Sequence, residues 1–265
     1  MTPRRPLISV VTPCYNEQET VRDCYLGVRR VFAGELGRYD HEHIFCDNAS
    51  TDRTAAVARE LGARVVYEGR KGYGRAYKTG FASARGDIIV TMDGDGTYPP
   101  DSIPLLLYVL VEEKLDFITA RRWYSRSGQA KSPIRLLGNA ILSGAMMCLF
   151  FKFIIDSQSG MWVFRRDVLR KIGPRSDSMA LSEELKILAF THRELRCLEM
   201  PIYYGERIGT SKLNIWRDGF GNLFFLARMR LVLGRRRRAA VVMPLPRPDE
   251  AAREATVRAS AQHTS

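Results

Sequence analysis

Short runs of β-branched and other apolar residues recur through residues 1–120, and each is followed by a stretch with helical character. Leu7 to Thr12 (LISVVT), His43 to Cys46, Ala63 to Tyr67, Asp87 to Val90 and Phe117 to Ala120 read as strands. Glu19 to Phe32, Arg53 to Leu61, the stretch from Lys71-Gly72-Tyr73-Gly74 through Ala84, and the segment after Pro100 read as helices. Near-continuous apolar strands belong to a sheet covered on both faces, and strand–helix alternation implies right-handed βαβ units. The expected fold class is therefore α/β, a mostly parallel central sheet with flanking helices, the architecture of a nucleotide-binding domain.

The second half is less regular. Asp156-Ser157-Gln158-Ser159-Gly160 precedes a short strand at Met161 to Phe164, and Ser182 to Thr191 reads as a helix with Ser182 at its N-cap. Cys197 to Met200 and Ile202 to Tyr204 read as strands divided by Pro201, and Asn214 to Leu233 as a long amphipathic helix. Leu136 to Phe151 is uncharged, but falls short of the roughly 20 apolar residues that cross a bilayer, so it is expected to be buried or interfacial. Three regions are expected: 1–213 catalytic, 214–238 an amphipathic helix with a polybasic end, and 239–265 a disordered tail rich in Ala, Pro, Arg and Glu.

Chemistry concentrates in Asp93-Gly94-Asp95-Gly96-Thr97-Tyr98-Pro99-Pro100, which follows the Asp87 strand. Open α/β sheets hold ligands at the carboxyl ends of their strands. Asp-x-Asp there can hold a hard divalent cation that bridges a ligand's phosphates, and the glycines allow a bulky anion close to the backbone. A solvated acidic turn would have the same dipeptide spacing. The first strand–helix turn, Thr12-Pro13-Cys14-Tyr15-Asn16-Glu17, is neither G-x-G-x-x-G nor a P-loop, which excludes the usual dinucleotide and P-loop nucleotide sites. Tyr15 offers a face for base stacking, although taken alone it reads more readily as a packed core aromatic. Asp47 ends the second strand, where a carboxylate can bond a ribose or base; capping of the next helix is its other use, and Asp52 suits that better.

The formal charge of +12 asks for an anionic partner: nucleotide, phospholipid surface or nucleic acid. Five scattered cysteines without C-x-x-C argue for reduced thiols and against zinc. Met1 to Pro6 is basic and leads directly into a strand-like run, so no signal peptide is expected. Nucleic-acid binding is disfavoured, because the run Arg235 to Arg238 concentrates charge outside the α/β core and no DNA- or RNA-reading motif is present.

In order along the chain, Val10-Val11-Thr12-Pro13-Cys14-Tyr15-Asn16-Glu17, Asp47-Asn48-Ala49-Ser50-Thr51-Asp52, Lys71-Gly72-Tyr73-Gly74-Arg75-Ala76, the Asp93 to Pro100 run, Asp156 to Met161 and Arg207-Ile208-Gly209-Thr210-Ser211-Lys212-Leu213 resemble the inverting, GT-A-type family 2 glycosyltransferases. Within them the chain looks most like the dolichol-phosphate mannose and glucose synthases. The resemblance implies that Pro13, Tyr15 and Glu17 contact the nucleotide, and Asp47 with Asn48 its base or ribose. It implies that Asp93, Gly94 and Asp95 line the diphosphate, with Asp93 and Asp95 as metal ligands for Mg²⁺ or Mn²⁺. Arg121 would lie near the sugar and the acceptor phosphate, and Arg207 and Lys212 would close over the phosphates. Asn48 replaces the aspartate common at the second position of that motif, and Thr97 stands where some mannose synthases carry a metal-binding glutamine.

The implied reaction is hexosyl transfer, with inversion, from a nucleotide sugar (GDP-mannose or UDP-glucose) to a polyprenyl phosphate. A phosphate monoester is already anionic at neutral pH, so cations that hold it matter more than a base. Arg121, Arg122 and Arg126 are available for that. Glu184 is the carboxylate named if a base operates, and Asp156 is second; helix-end charge and loop capping explain them equally. Trp216, Phe220, Leu223, Phe224, Leu226, Leu231 and Leu233 alternate with Arg217, Arg228 and Arg230 ahead of Arg235 to Arg238, a pattern suited to an anionic leaflet. A cytoplasmic enzyme held peripherally on the membrane, with room for a separate membrane-protein partner, is the expectation. The other acceptor class is a saccharide or small molecule.

Overall fold

The computed structural model describes residues 5–125, 133–205 and 215–236. Seven strands form one sheet in the order β3-β2-β1-β4-β6-β5-β7. β1 (Leu7–Cys14), β2 (Asp40–Asp47), β3 (Arg64–Tyr67) and β4 (Ile88–Thr91) are parallel, with Cys14 level with Asp47 and Val11 level with Thr91. β6 (Trp162–Arg165) runs antiparallel to both β4 and β5 (Phe117–Ser125), while β7 (Cys197–Tyr204) pairs parallel with β5. β1 lies between β2 and β4, so the strand order reverses there and opens a crevice beyond the strand ends. The α/β expectation holds, with a single antiparallel strand in the middle.

Helices cover both faces. α1 (Val21–Ala33) and α4 (Ile103–Glu112) bury Val28, Phe32, Leu106 and Leu110 with Ile8, Val10, Val90 and Ile118. On the other face α3 (Tyr73–Ser83), α5 (Pro133–Phe150), α7 (Leu181–Thr191) and α8 (Ile215–Arg236) enclose Val11, Ile89, Phe117 and Trp162. α2 (Thr54–Glu60) and α6 (Asp167–Ile172) complete the set among the described residues. Successive β-branched residues of β1 and β4 point to opposite, equally buried faces, which is why no polar alternation marks them.

Three local readings are corrected. Pro201 does not divide β7: it pairs opposite Arg121 at the edge of the sheet, where a missing N–H is tolerated. Ser182 does not cap α7, whose N-cap is Ala180; its hydroxyl instead donates to the Ser159 carbonyl at 2.8 Å. α6 was not anticipated, although Asp167 in its first turn, Arg170 and Lys171 in its last and a left-handed Gly173 beyond it are ordinary helix signals. Arg126, Arg207, Lys212, Arg237, Arg238 and the tail from 239 lie outside the described residues.

Candidate active site

The loops after β1 and β2 clasp one another. Asn16 donates its amide to Ser50 Oγ and accepts from the Thr51 N–H, while the amides of Glu17 and Gln18 reach Thr54 Oγ1 and Asp52 Oδ2. Asn16 and Ala49 hold left-handed backbone at φ +54° and +57°, a local strain that the clasp sustains. Asp47 is buried and accepts from the Ser50 N–H. Tyr15 stands at the rim, with Lys71 Nζ 4.5 Å from its ring centroid and 2.7 Å from its hydroxyl. Asn48 has its amide fully engaged: Nδ2 donates to Glu68 O and Arg70 O, and Oδ1 accepts from the Gly72 N–H. It shapes the glycine-rich turn, which explains why a neutral amide serves at this position.

Asp93 and Asp95 emerge past the end of β4 in different surroundings. The Tyr73 and Tyr77 hydroxyls lie 3.1 and 3.0 Å from Asp93 Oδ1. Burial, reinforced by the Asp93 charge, pushes both phenols well above their ordinary range and keeps them protonated. Asp95 is 3% exposed and accepts from the Thr97 N–H at 2.9 Å. Thr97 Oγ1 is buried without a hydrogen-bond partner among the described residues. Gly94 packs so tightly under the first loop that a Cβ there would lie 3.2 Å from Pro13 O, and Thr20 Oγ1 donates to Gly94 O. No group of three His, Cys, Asp or Glu forms a closed metal site among the described residues. Two aspartates and a spare hydroxyl are a hard, oxygen-only set that fits Mg²⁺ or Mn²⁺ completed by a ligand's phosphates.

β5 carries the opposite wall. Arg122 grips Asp156 through Nε–Oδ2 at 2.8 Å and Nη2–Oδ1 at 2.7 Å, and its own N–H adds a third bond. Burial disfavours the Asp156 charge, but Arg122 and Lys186 outweigh it and hold the carboxyl well below the usual range. Arg121 is aimed elsewhere: its guanidinium stacks 3.9 Å from the centroid of the half-exposed Trp123, and its buried Nε has no hydrogen-bond partner among the described residues. The segment 156–160 joins the two walls. Gly160 donates its N–H to Tyr98 Oη at 2.7 Å and accepts from Thr91 Oγ1, and a Cβ on it would lie 2.5 Å from Tyr73 Oη and 3.0 Å from Asp93 Oδ2.

Residues 9–173 match the sequence pattern of Glycosyl transferase family 2. The chain belongs to this family. Among curated relatives of this glycosyltransferase, the Low-salt glycan biosynthesis hexosyltransferase Agl6 of Haloferax volcanii is 30% identical over 83% of the chain and 53% of its own length. The Dolichyl-phosphate hexose transferase of the same organism is 28% identical over 80% of the chain and 89% of its own length. The Dolichol-phosphate mannosyltransferase of Pyrococcus furiosus is 27% identical over 78% and 59%. The chain thus spans about half of Agl6 and most of the second relative. Glucosyl-3-phosphoglycerate synthase from Mycobacterium tuberculosis in complex with uridine diphosphate superposes with a TM-score of 0.67 at 23% identity, covering 84% of this chain and 80% of that one. The same enzyme with Mn²⁺, uridine diphosphate and phosphoglyceric acid gives 0.64 at 24% identity, over 85% and 78%. These structures establish the GT-A fold of this glycosyltransferase.

Glu184, the carboxylate expected to act if a base operates, has Oε2 accepting from the Arg175 and Ser176 amides, bracing that turn. The sequence did not single out Glu183 or Lys186 behind the 156–160 segment. Glu183 faces the segment, accepting from Gln158 Nε2 at 2.6 Å, while Gln158 Oε1 accepts from Asn222 of α8. Burial raises the Glu183 carboxyl to about 7. The unfolded chain gives up this proton near pH 4.5 and the folded one only near 7, so this group lowers stability as pH rises through that window. Glu183→Gln is expected to remove a fall in unfolding free energy of at most about 3 kcal/mol between those limits. Urea unfolding of both proteins at pH 5 and 8 checks it, and parallel pH dependences would refute the assignment.

Proposed function

We propose that this family 2 glycosyltransferase moves a hexosyl group from a nucleotide sugar, UDP-glucose or GDP-mannose, to a polyprenyl phosphate, with inversion. The observation that carries the reading is Arg121: a stacked arginine with a buried Nε that no described side chain or carbonyl satisfies, next along β5 to the Arg122 that grips Asp156. Such a group suits an incoming phosphate, which guanidinium binds in a planar fork. The relatives named as dolichyl-phosphate hexose and dolichol-phosphate mannosyl transferases support the same acceptor class.

In this reading Tyr15, Glu17 and Asp47 hold the nucleoside between the clasped loops, with Pro13 and Asn48 shaping its floor and rim. Asp95, with Asp93 beside it, would hold Mg²⁺ or Mn²⁺, which when bound neutralises charge developing on the departing diphosphate. Arg121 orients the acceptor phosphate oxygen behind the anomeric carbon. The new carbon–oxygen bond forms as the bond to the diphosphate breaks, and the configuration inverts. The nucleophile is ionised near neutral pH, so no side chain has to remove a proton. Arg207 and Lys212 are proposed to close over the phosphates.

The acceptor side also offers apolar surface. Phe151 and Phe153 are 83% and 76% exposed just before Asp156, and Phe220, Phe224 and Leu231 are exposed on α8, which packs against α5. Leu226 and Met229 of α8 point inward, so the helix has two apolar faces, one buried and one exposed, the exposed one flanked by Arg228 and Arg230. No described helix is long and apolar enough to cross a membrane. The exposed face and its arginines suit the surface of an anionic leaflet.

A matrix of UDP-glucose and GDP-mannose against polyprenyl phosphate in anionic vesicles, with Mn²⁺ or Mg²⁺, tests the proposal. A lipid-linked hexose monophosphate from one donor is expected. Transfer only to a soluble sugar or small phosphorylated acceptor would replace it with the second reading.

A further inference from the structure

Lys186 lies in the second turn of α7, within the continuously buried run Leu181 to Ala189, and its side chain has no solvent exposure. Lysine is seldom found fully buried without compensation. Here its Nζ donates to three carbonyls, Asp156 O, Ser157 O and Ser159 O, each at 2.8 Å. An ammonium has three donors and no acceptor, so the match is complete. All three carbonyls belong to the segment that joins the two walls of the crevice. One end of it presents Asp156 to Arg122, beside Arg121; the other presses Gly160 against Asp93. Other anchors hold its edges: Glu199 takes the Ile155 and Asp156 amides, Ser143 Oγ the Ser157 amide, and Asn222 with Glu183 the Gln158 side chain. Ser182 Oγ of the same helix reaches the Ser159 carbonyl, and among the described contacts only Lys186 gathers all three carbonyls.

We infer that Lys186 is a positioning residue for glycosyl transfer: from inside the fold, its ammonium sets the 156–160 backbone so that Asp93 and the Arg121–Arg122 pair stand at a fixed separation across the crevice. It touches neither donor nor acceptor and acts through Asp156 and Gly160. An apolar side chain of similar length would leave Ser157 O unpaired and Asp156 O and Ser159 O with only the Ser159 N–H and the Ser182 hydroxyl, letting the segment shift, and small misplacements of reacting groups cost rate far more than they cost binding. The charged groups acting on Lys186 are Asp156, Arg122, Glu199 and Glu183. Burial draws the ammonium down to about 7 against the pull of Asp156, so protonation of this anchor is itself sensitive to pH.

The inference rests on the proposed transfer site, and the test separates the two. Full-length Lys186→Met and Lys186→Arg are compared with wild type by amide exchange, by binding of UDP and of GDP with Mn²⁺, and by steady-state transfer. Lys186→Met is expected to lower kcat by about 10²-fold with KM for the donor and nucleotide binding unchanged. Its amides at 157–160 should exchange about tenfold or more faster, while those of β1 and β4 keep their protection. Lys186→Arg, which keeps the charge but not the tetrahedral fit, should fall between. The alkaline limb of the wild-type rate profile should be absent in Lys186→Met. Wild-type kcat in Lys186→Met, or loss of protection and nucleotide binding throughout the domain together with kcat, overturns the inference. If Lys186→Met does not fold, Lys186→Arg decides by the same readouts, and faster wild-type exchange at 157–160 above pH 7, corrected for intrinsic base catalysis, is required as well. Absence of lipid-linked product from wild type would sink the acceptor assignment alone, because exchange and nucleotide binding need no acceptor.

Discussion

Asp95→Asn should reduce hexosyl transfer by on the order of 10²–10³-fold, the usual cost of deleting one fixed electrostatic partner of a developing charge. The substitution is nearly isosteric, and the asparagine Oδ1 still accepts from the Thr97 N–H, so only the charge is lost. Unfolding free energy should stay within about 0.5 kcal/mol of wild type. Mn²⁺-dependent tightening of nucleotide binding should vanish in calorimetry, while metal-free nucleotide binding, carried in this reading by Tyr15, Glu17 and Asp47, persists. Asp93→Asn is a less discriminating probe, since Asp93 also receives the hydroxyls of partly buried Tyr73 and buried Tyr77 and its loss would disturb their packing. A variant at Asp95 with near wild-type transfer and intact metal response would remove Asp95 from the centre of the site.

Much of this arrangement is legible in the chain because its signals are local. The βαβ rhythm is written in β-branched runs and turn residues, and a strand end followed by Asp-x-Asp is a short-range pattern. The sheet accordingly has the expected parallel half, with Asp47 and Asp95 at matching strand ends. Less legible is whatever depends on partners far along the chain. Asn48 looks like a base reader by position, yet it spends its amide on a turn 20 to 24 residues away, at Glu68, Arg70 and Gly72. Pro201 looks like a strand breaker because nothing local reveals that β7 is an edge. Lys186 and Glu183 sit in a helical stretch where a charge normally marks the solvent face; only the 156–160 segment, folded beneath α5, α7 and α8, turns that face inward. The hint available was the apolar run around Lys186, too continuous for an exposed helix.

Asp156→Ala is expected to destabilise the fold by about 3 kcal/mol at neutral pH, because it strands a charge whose partner is gone. The magnitude is set by asymmetry of burial: Asp156 is 4% exposed, whereas Arg122 keeps 25% of its side chain in solvent and can recover some hydration. Arg122→Leu should therefore cost more than Asp156→Ala, since it abandons the better-buried partner, although Lys186 still pulls on that carboxylate. Replacing both residues by apolar ones of similar volume should restore most of the loss, as a buried pair is dispensable to stability in a way that half a pair is not. The pH dependence follows from the direction of the shift. The Asp156 pKa in the folded protein lies below its unfolded value, so the pair's contribution is fully present above the ordinary carboxylate range near 4 and is lost only as pH falls below it. The gap between wild type and Asp156→Ala in chemical denaturation should thus be flat from pH 5 to 8 and close in acid. A gap that closed near pH 7 would mean that Glu183 or Lys186, and not the Arg122–Asp156 pair, governs the stability of this wall.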